Sequence, residues 1–408
     1  MFAPVFAKAK LRIQDQTIVA VELGGSKITA HVYRIHDQEG ALIHVASSCV
    51  QSKGLNRHTI ARIEWLEESI LNVLHTVEQQ SKTTIKDAYI VVPSGILNSK
   101  MVENSVDLGG RSVSDETLRK LHDISVFMNQ KKDEEVLHVL PLRYSLDDMD
   151  HITDPRKMVG RKLSVLIHVI TASKSFLHNV RQIFAHADVR IKGIIANPYA
   201  CGLALLDEEA MQLGSTIIDI GAESTTLSCF LDGELMFFKH FPMGAHHITR
   251  HIARKLNLSM EAAERAKIHY GFVSVDAAVM TVNEPIVDGN IQRYIAPIIM
   301  SDVEDLTIQV FDVLNQLDPK VWDRILVTGG GSQISGLTEF WSRGFRKQVR
   351  QESNYKLSSP LNDMTLAASL GGIKYGFTDY YNRASDQFRP FLHQTIWQRI
   401  KHWFNEDF

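Results

Sequence analysis

Two stretches of the 408-residue chain, about two hundred residues apart, repeat one arrangement of chemical groups. The apolar run Ile18-Val19-Ala20-Val21 leads into Glu22-Leu23-Gly24-Gly25-Ser26-Lys27, and Ile217-Ile218 leads into Asp219-Ile220-Gly221-Ala222-Glu223-Ser224-Thr225. In each, a carboxylate ends a buried strand, a glycine follows two residues later and a hydroxyl stands in the same turn. Glycine lets backbone N–H groups close on a phosphate, and a carboxylate can hold a hydrated divalent cation. Two such turns facing one another would clamp a nucleotide. A third cluster, Gly329-Gly330-Gly331-Ser332, lies between the apolar run 324–328 and a helical pattern at 337–345. The free N–H groups and dipole of a helix start attract anions at such a junction. One glycine turn alone is usually a structural turn, so it is the ordered set of three that points to a nucleotide. No Walker-type glycine-lysine loop and no Gly-x-Gly-x-x-Gly fingerprint follows a strand.

The turns need strands to aim them. Residues 17–23 and 27–35 pair across the first turn, and 225–231 with 234–241, around Asp232-Gly233, form a second hairpin. Ile63, Leu66, Ile70, Val73, Leu74 and Val77 recur at helical spacing over 62–80. A strand at 87–92 ends at Pro93-Ser94-Gly95, and the composition then changes. A polar helix at 115–129, the charge run Lys131-Lys132-Asp133-Glu134-Glu135, a strand at 136–145, an acidic loop at 147–154 and an apolar strand at 163–171 follow. This stretch reads as an inserted subdomain, and its charge run as a solvated loop or helix end. Helix 175–187, strand 191–196 and helix 200–206 close the first half; helix dominates 246–270 and 290–317, and a last helix over 364–375 ends at Gly376. Alternating strands and helices make the fold α/β.

Composition is ordinary for a globular protein, 44% hydrophobic and 22% charged, and the length calls for at least two domains, with four smaller units expected. A net charge of −3 gives no general attraction to nucleic acid, and Arg343, Arg346, Lys347 and Arg350 form a basic face without interleaved aromatics. Cys49, Cys201 and Cys229 are too widely spaced for a disulfide framework or a zinc site, which fits a reducing cytoplasm. No run approaches the roughly 20 apolar residues of a spanning helix. His246, His247 and His251 have no cysteine or carboxylate at ligand spacing beside them, so they read as a solvated or cleft-lining helix.

At the end of the chain a polar stretch, 378–389, reads as a linker, and Pro390 suits the first position of a helix. Leu392, Ile396, Ile400 and Trp403 recur at three- and four-residue spacing, flanked by Phe391, Trp397 and Phe404, with Arg399, Lys401 and His402 among the residues opposite. Such helices commonly dock on their own domain. Here the polar linker and two tryptophans favour an interfacial membrane anchor.

The order of hairpin turn, insertion, second hairpin turn, helical block and triple glycine resembles the actin–Hsp70–hexokinase ATPase superfamily, and within it most closely the FtsA family of bacterial cell-division proteins. The segments that carry the likeness begin with Leu137-His138-Val139-Leu140-Pro141, Tyr144-Ser145-Leu146-Asp147, Ile217-Ile218-Asp219-Ile220-Gly221 and Pro242-Met243-Gly244 with Thr249. They continue with Ala263-Glu264-Arg265-Ala266-Lys267 ending at Gly271 and with Val327-Thr328-Gly329-Gly330-Gly331-Ser332-Gln333-Ile334-Ser335-Gly336-Leu337. The insertion after Val92 and before His168 looks like the extra FtsA subdomain. The resemblance implies two duplicated ribonuclease-H-like domains around a nucleotide cleft. It divides the chain into an arm (1–14), a first core (15–92, 168–196, 360–377), the insertion (93–167), a second core (197–256, 315–359), a helical cleft subdomain (257–314), a linker (378–389) and a membrane-targeting helix (390–408).

The implied ligand is ATP with Mg²⁺. Gly24, Gly25, Ser26, Lys27, Gly221, Ser224 and Thr225 would lie against phosphate, and Asp219 with Glu22 would face the metal. Gly244 and Thr249 match the cleft floor, Glu264 and Lys267 the ribose and adenine contacts, and Gly329, Gly330, Gly331 and Ser332 would pass under the sugar. Arg293 lies where the family receives the C-terminal peptide of FtsZ, and the other implied partners are further copies of the chain, anionic inner-membrane lipid and later division proteins. The implied role is a peripheral protein on the cytoplasmic face of the inner membrane that polymerises and tethers FtsZ filaments there; the alternative is an active ATPase or sugar kinase of the same superfamily. Ala222 and Glu223 replace two glycines usual in relatives, and Asn197 stands where hydrolysing relatives place a glutamate before Pro-x-Ala. An amide orients water without taking its proton, so hydrolysis is expected to be slow or absent.

Overall fold

The computed structural model describes residues 17–36, 41–56, 59–129, 131–274, 291–353 and 363–384. Two five-stranded sheets share one plan. In the first, β1 (Thr17–Leu23) pairs antiparallel with β2 (Lys27–His36), which pairs with β3 (Ala41–Gln51). On the far side of β1, β6 (Asp87–Val92) and then β11 (Arg190–Ala196) run parallel, giving the order β11-β6-β1-β2-β3. In the second sheet β12 (Ser215–Ile220), β13 (Thr225–Leu231) and β14 (Glu234–Phe241) repeat the antiparallel half, and β15 (Ile325–Thr328) with β16 (Val349–Gln351) the parallel half. Both glycine turns therefore close the same hairpin, at the end of the strand where antiparallel pairing meets parallel pairing. Ile18, Val19, Ala20, Val21 and Leu23 are buried, as a central strand covered on both faces requires. A short ladder of β4 (Leu55–Asn56) and β5 (Thr59–Ile60) precedes α1 (Ile63–Ser81), which buries Leu66, Ile70, Val73, Leu74 and Val77.

The insertion is a separate antiparallel sheet of β7 (Leu97–Asp107), β8 (Glu134–Leu146), β9 (Met149–Ile152) and β10 (Lys162–Ser173), ordered β7-β10-β8-β9, with α2 (Asp115–Asn129) packed on it. Its core, with Leu118, Leu121, Val139, Val165 and Ile167, is distinct from the two main ones. The acidic end of the charge run lies in β8 and not in a solvated loop: Glu134 accepts from Thr171 Oγ1 at 2.6 Å and Glu135 pairs with Arg181.

Helix α3 (Lys174–His186) leads to β11, and α4 (Asn197–Leu205) starts three residues earlier than expected, with Pro198 in its first turn. A short α5 (Glu208–Leu213) follows. The mostly helical stretch 246–270 comprises two helices, α6 (Ala245–Leu256) and α7 (Met260–Tyr270). Asn257 takes the left-handed conformation that ends α6, and Ser259 caps α7 by accepting from the Ala262 N–H. Helices α8 (Ile291–Leu314) and α9 (Leu337–Phe345) complete the second core, and α10 (Ala367–Ala384) packs between α4 and the first sheet. α10 runs through Gly376 and through residues 378–384 of the expected linker. Gly376 is glycine because Tyr89 and Ile18 would lie 2.7–2.8 Å from a Cβ there, a packing reason that imitates a helix stop in sequence. Among the described residues no helix is long and apolar enough to cross a membrane.

Candidate functional site

The two hairpin turns line opposite walls of one cleft of about 650 Å³, its open mouth included. They approach closely: a Cβ on Gly25 would lie 3.1 Å from Cγ of Glu223. Glu22, Gly24, Gly25, Ser26 and Lys27 come from one turn, Asp219, Gly221, Ala222, Glu223 and Ser224 from the other, and Gly329 from the third glycine cluster. Gly24 N–H bonds Lys27 carbonyl and Gly221 N–H bonds Ser224 carbonyl, so both turns are closed by the same contact.

Two acids meet in this cleft. Burial raises the Glu22 carboxyl to about 7, with Lys27 pulling it down and Asp219 pushing it up. Burial also raises Asp219, against hydrogen bonds from Asn197 Nδ2 at 3.4 Å and the Cys201 thiol at 3.9 Å. Oε2 of Glu22 is buried without a hydrogen-bond partner. Desolvated carboxylates with an unused oxygen are a donor set that fits a hard divalent cation keeping several waters.

Glu223 turns away from the cleft's centre. His246 Nδ1 lies 2.9 Å from its Oε1 and Arg250 Nη1 3.3 Å from its Oε2, and these partners hold its carboxyl at about 2. The same helix start is occupied: Ala245 N–H bonds Gly221 carbonyl and His246 N–H bonds Ala222 carbonyl, so α6 braces the second turn and offers these donors to nothing else. Gly244 sits in that joint, where a Cβ would be 2.5 Å from Ser224 N.

Other expected residues stand further back. Lys267 is buried, donating to Ala245 carbonyl, Thr249 Oγ1 and Glu264 Oε2 at 3.0, 2.9 and 2.8 Å, so it joins α7 to α6. Thr225 donates to Met243 carbonyl, while its neighbour Thr226, on the opposite face of β13, lines the cleft and donates to Ser94 Oγ at 2.7 Å. Gly330 to Gln333 form a 3-10 turn between β15 and α9, so the third cluster does not open directly into a helix. Gly329 has φ 83°, with Asp219 Oδ1 2.4 Å from where a Cβ would be; Gly331 packs on Ile220, and Ser332 Oγ donates back to Gly329 carbonyl. Asn197 lines the cleft and accepts from Ser94 Oγ at 3.3 Å. Ser94, Thr226 and Thr365, which accepts from Lys27 Nζ, are cleft residues missed in sequence. The Pro-Ser-Gly turn after β6 was the one available signal. Arg293 is exposed at the start of α8, and Phe391, Leu392, Ile396, Trp397, Ile400, Trp403 and Phe404 lie outside the described residues.

The family model "Cell division protein FtsA" matches residues 216–371, and "SHS2 domain inserted in FTSA" matches 95–171. FtsA of Rhizobium meliloti is 31% identical over 380 residues, covering 88% of this chain and 85% of that protein. The chain belongs to the FtsA family. FtsA of Agrobacterium fabrum is 29% identical over 358 residues (83% and 81% coverage), and FtsA of Bacillus subtilis 28% over 352 residues (84% and 80%). The FtsA insertion coincides with the β7–β10 sheet. Among solved structures, the PilM-PilN type IV pilus biogenesis complex aligns with a TM-score of 0.64 at 17% identity, covering 88% of this chain and 98% of that one. MreB 5 of Spiroplasma citri bound to AMPPNP aligns at 0.55 and 13% identity, covering 91% and 99%. The FtsA fold is thus actin-like.

Proposed function

We propose that the chain binds ATP with Mg²⁺ in the cleft between its two hairpin turns and uses the bound state as a signal for self-association at the division site. The close approach of Gly25 to Glu223 at the cleft carries this reading, since a ligand gripped by both turns couples the two sheets. The nucleotide-bound MreB 5 structure shares the fold, which supports a nucleotide as the ligand. Glu22 and Asp219 would hold the cation, which supplies charge neutralisation at the phosphates. Lys27 and the turn N–H groups would bind phosphate, and Gly329 leaves room beside Asp219. Asn197 can orient a water and cannot deprotonate it, so turnover is slow or absent.

Fluorescent-ATP titration tests this: Asp219→Ala and Gly330→Asp should each weaken Mg-ATP binding about tenfold or more. Only Thr365 Cγ2, at 3.6 Å, lies near a Cβ on Gly330, so the aspartate fits the fold and adds charge to the phosphate path. Unchanged affinity in both would remove the clamp.

The family and the amphipathic pattern of residues 390–408 support attachment to the cytoplasmic face of the inner membrane, where the exposed Arg293 region would receive the FtsZ C-terminal peptide and tether FtsZ filaments. Several large side chains give a reversible anchor that polymerisation multiplies by avidity. Vesicles containing anionic lipid should float the full chain and leave behind a chain truncated after Arg389. Equal flotation of the two would end the anchor reading.

A further inference from the structure

The helical block brings together three groups that sequence spacing kept apart. His247 and His251, one turn apart on α6, face Asp302 of α8, and their ligand atoms all lie within 4.8 Å of one another. His251 Nδ1 is 2.8 Å and His247 Nε2 3.9 Å from Asp302 Oδ1. The reading of these histidines as lacking a carboxylate partner is therefore corrected: the carboxylate comes from a helix about fifty residues later, beyond any local motif.

Asp302 is the unusual member. Its side chain is 1% exposed, on the face of α8 that buries Ile299, Val303 and Leu306, and neither carboxylate oxygen has a well-formed hydrogen bond. A buried carboxylate needs a cation or hydrogen bonds to offset its lost hydration. Burial raises its carboxyl, the two imidazoles lower it, and Asp305 raises it further. The histidines are about one-third exposed, so the trio has a dry end and a wet end.

We infer that His247, His251 and Asp302 form a binding site for Zn²⁺ that pins α6 to α8. Two imidazoles and one carboxylate with solvent beside them match three protein ligands plus an open position. Metal–ligand bonds of about 2.0–2.1 Å set donors ~3.3 Å apart in a tetrahedron, between the separations of 2.8 and 3.9 Å already present. Turning two imidazoles that are each about one-third exposed closes the set, while the carboxylate is fixed by its helix. Imidazole ligands select zinc over magnesium, so this site and the cleft would take different ions. Because α6 also braces the second glycine turn, the metal would stiffen the cleft wall against the helix that carries Arg293.

The test uses the full chain without an affinity tag, stripped of metal and titrated calorimetrically with zinc chloride, with cobalt chloride giving the visible absorption of a tetrahedral site. One equivalent should bind, and His247→Gln, His251→Gln and Asp302→Asn should each weaken binding about tenfold or more. His269→Gln, on α7, should change nothing. If Asp302→Asn does not fold, the two histidine variants, at partly exposed positions, decide. No one-to-one binding in the unaltered chain, or unchanged affinity in the His247→Gln/His251→Gln double variant, overturns the site.

Discussion

Replacing Gly371 with alanine should destabilise the chain by about 3 kcal/mol or more and lower its thermal midpoint by roughly 3–4 °C or more. At this point α10 crosses α4 at backbone contact. A Cβ on Gly371 would sit 1.9 Å from the Ala200 carbonyl oxygen and 2.4 Å from its carbon. A side-chain end could swing aside, but a carbonyl inside a helix cannot. α4 is buried on nearly every side, so neither helix can withdraw without opening the core between the two sheets. Gly330→Ala makes the contrast: its φ is ordinary, only a methyl lies nearby at 3.6 Å, and the cost should stay within about 0.5 kcal/mol. Differential scanning calorimetry of the two variants checks this, and equal midpoints would refute the close-crossing account.

Gly371 also marks where sequence reading stops. The duplicated hairpins were legible because an acid, a glycine and a hydroxyl recur after apolar strands, and α1 was legible from a stripe that the structure buries except for the partly buried Ile63 at its start. β3 was missed: its alternation of half-buried and exposed positions at a sheet edge is too weak a period to stand out. Gly376 read as a helix end and Gly371 and Gly372 carried no signal, whereas each admits a neighbour: Tyr89 and Ile18 at Gly376, Ala200 at Gly371, Val91 and Ala20 at Gly372. Local sequence contains no trace of those partners. In the cleft, the residues carried by the hairpins could be named in advance, while Thr365 and Ser94 arrive from elements far along the chain. Thr225 and Thr226 differ by one position, and only strand pairing decides which faces the ligand. The role of Glu223 was undecidable until His246 and Arg250 were seen to hold it.

The ligand-free chain should lose stability between pH 8 and pH 5, with two opposing causes that single substitutions separate. Among the buried histidines, His31, His138 and His168 are held neutral by their burial. His138 accepts from the Ala196 N–H at Nε2, so its proton is on Nδ1, which has no hydrogen-bond partner. His168 donates from Nδ1 to Leu235 carbonyl at 2.7 Å and accepts from Ser99 at Nε2. His31 donates to Ser369 Oγ, whose own proton goes to Leu366 carbonyl. Burial lowers the three imidazoles to about 3, 4 and 3 for His138, His168 and His31. Their folded values lie below the unfolded value of about 6.5, so below that pH the unfolded chain binds protons the folded chain refuses. Each histidine's contribution is complete above pH ~6.5 and falls by about 2 kcal/mol by pH 5. Glu22 acts oppositely: raised to about 7, it takes up a proton in the folded chain first and returns about 2–3 kcal/mol over the same interval. Raised Asp219 adds to this return, while Glu223, held at about 2, matters only below the unfolded carboxylate range. His138→Leu should flatten the urea-unfolding profile by about 2 kcal/mol between these pH values, and Glu22→Gln should steepen it by a similar amount. Profiles parallel to that of the unaltered chain in both variants would show that these groups do not set its acid sensitivity.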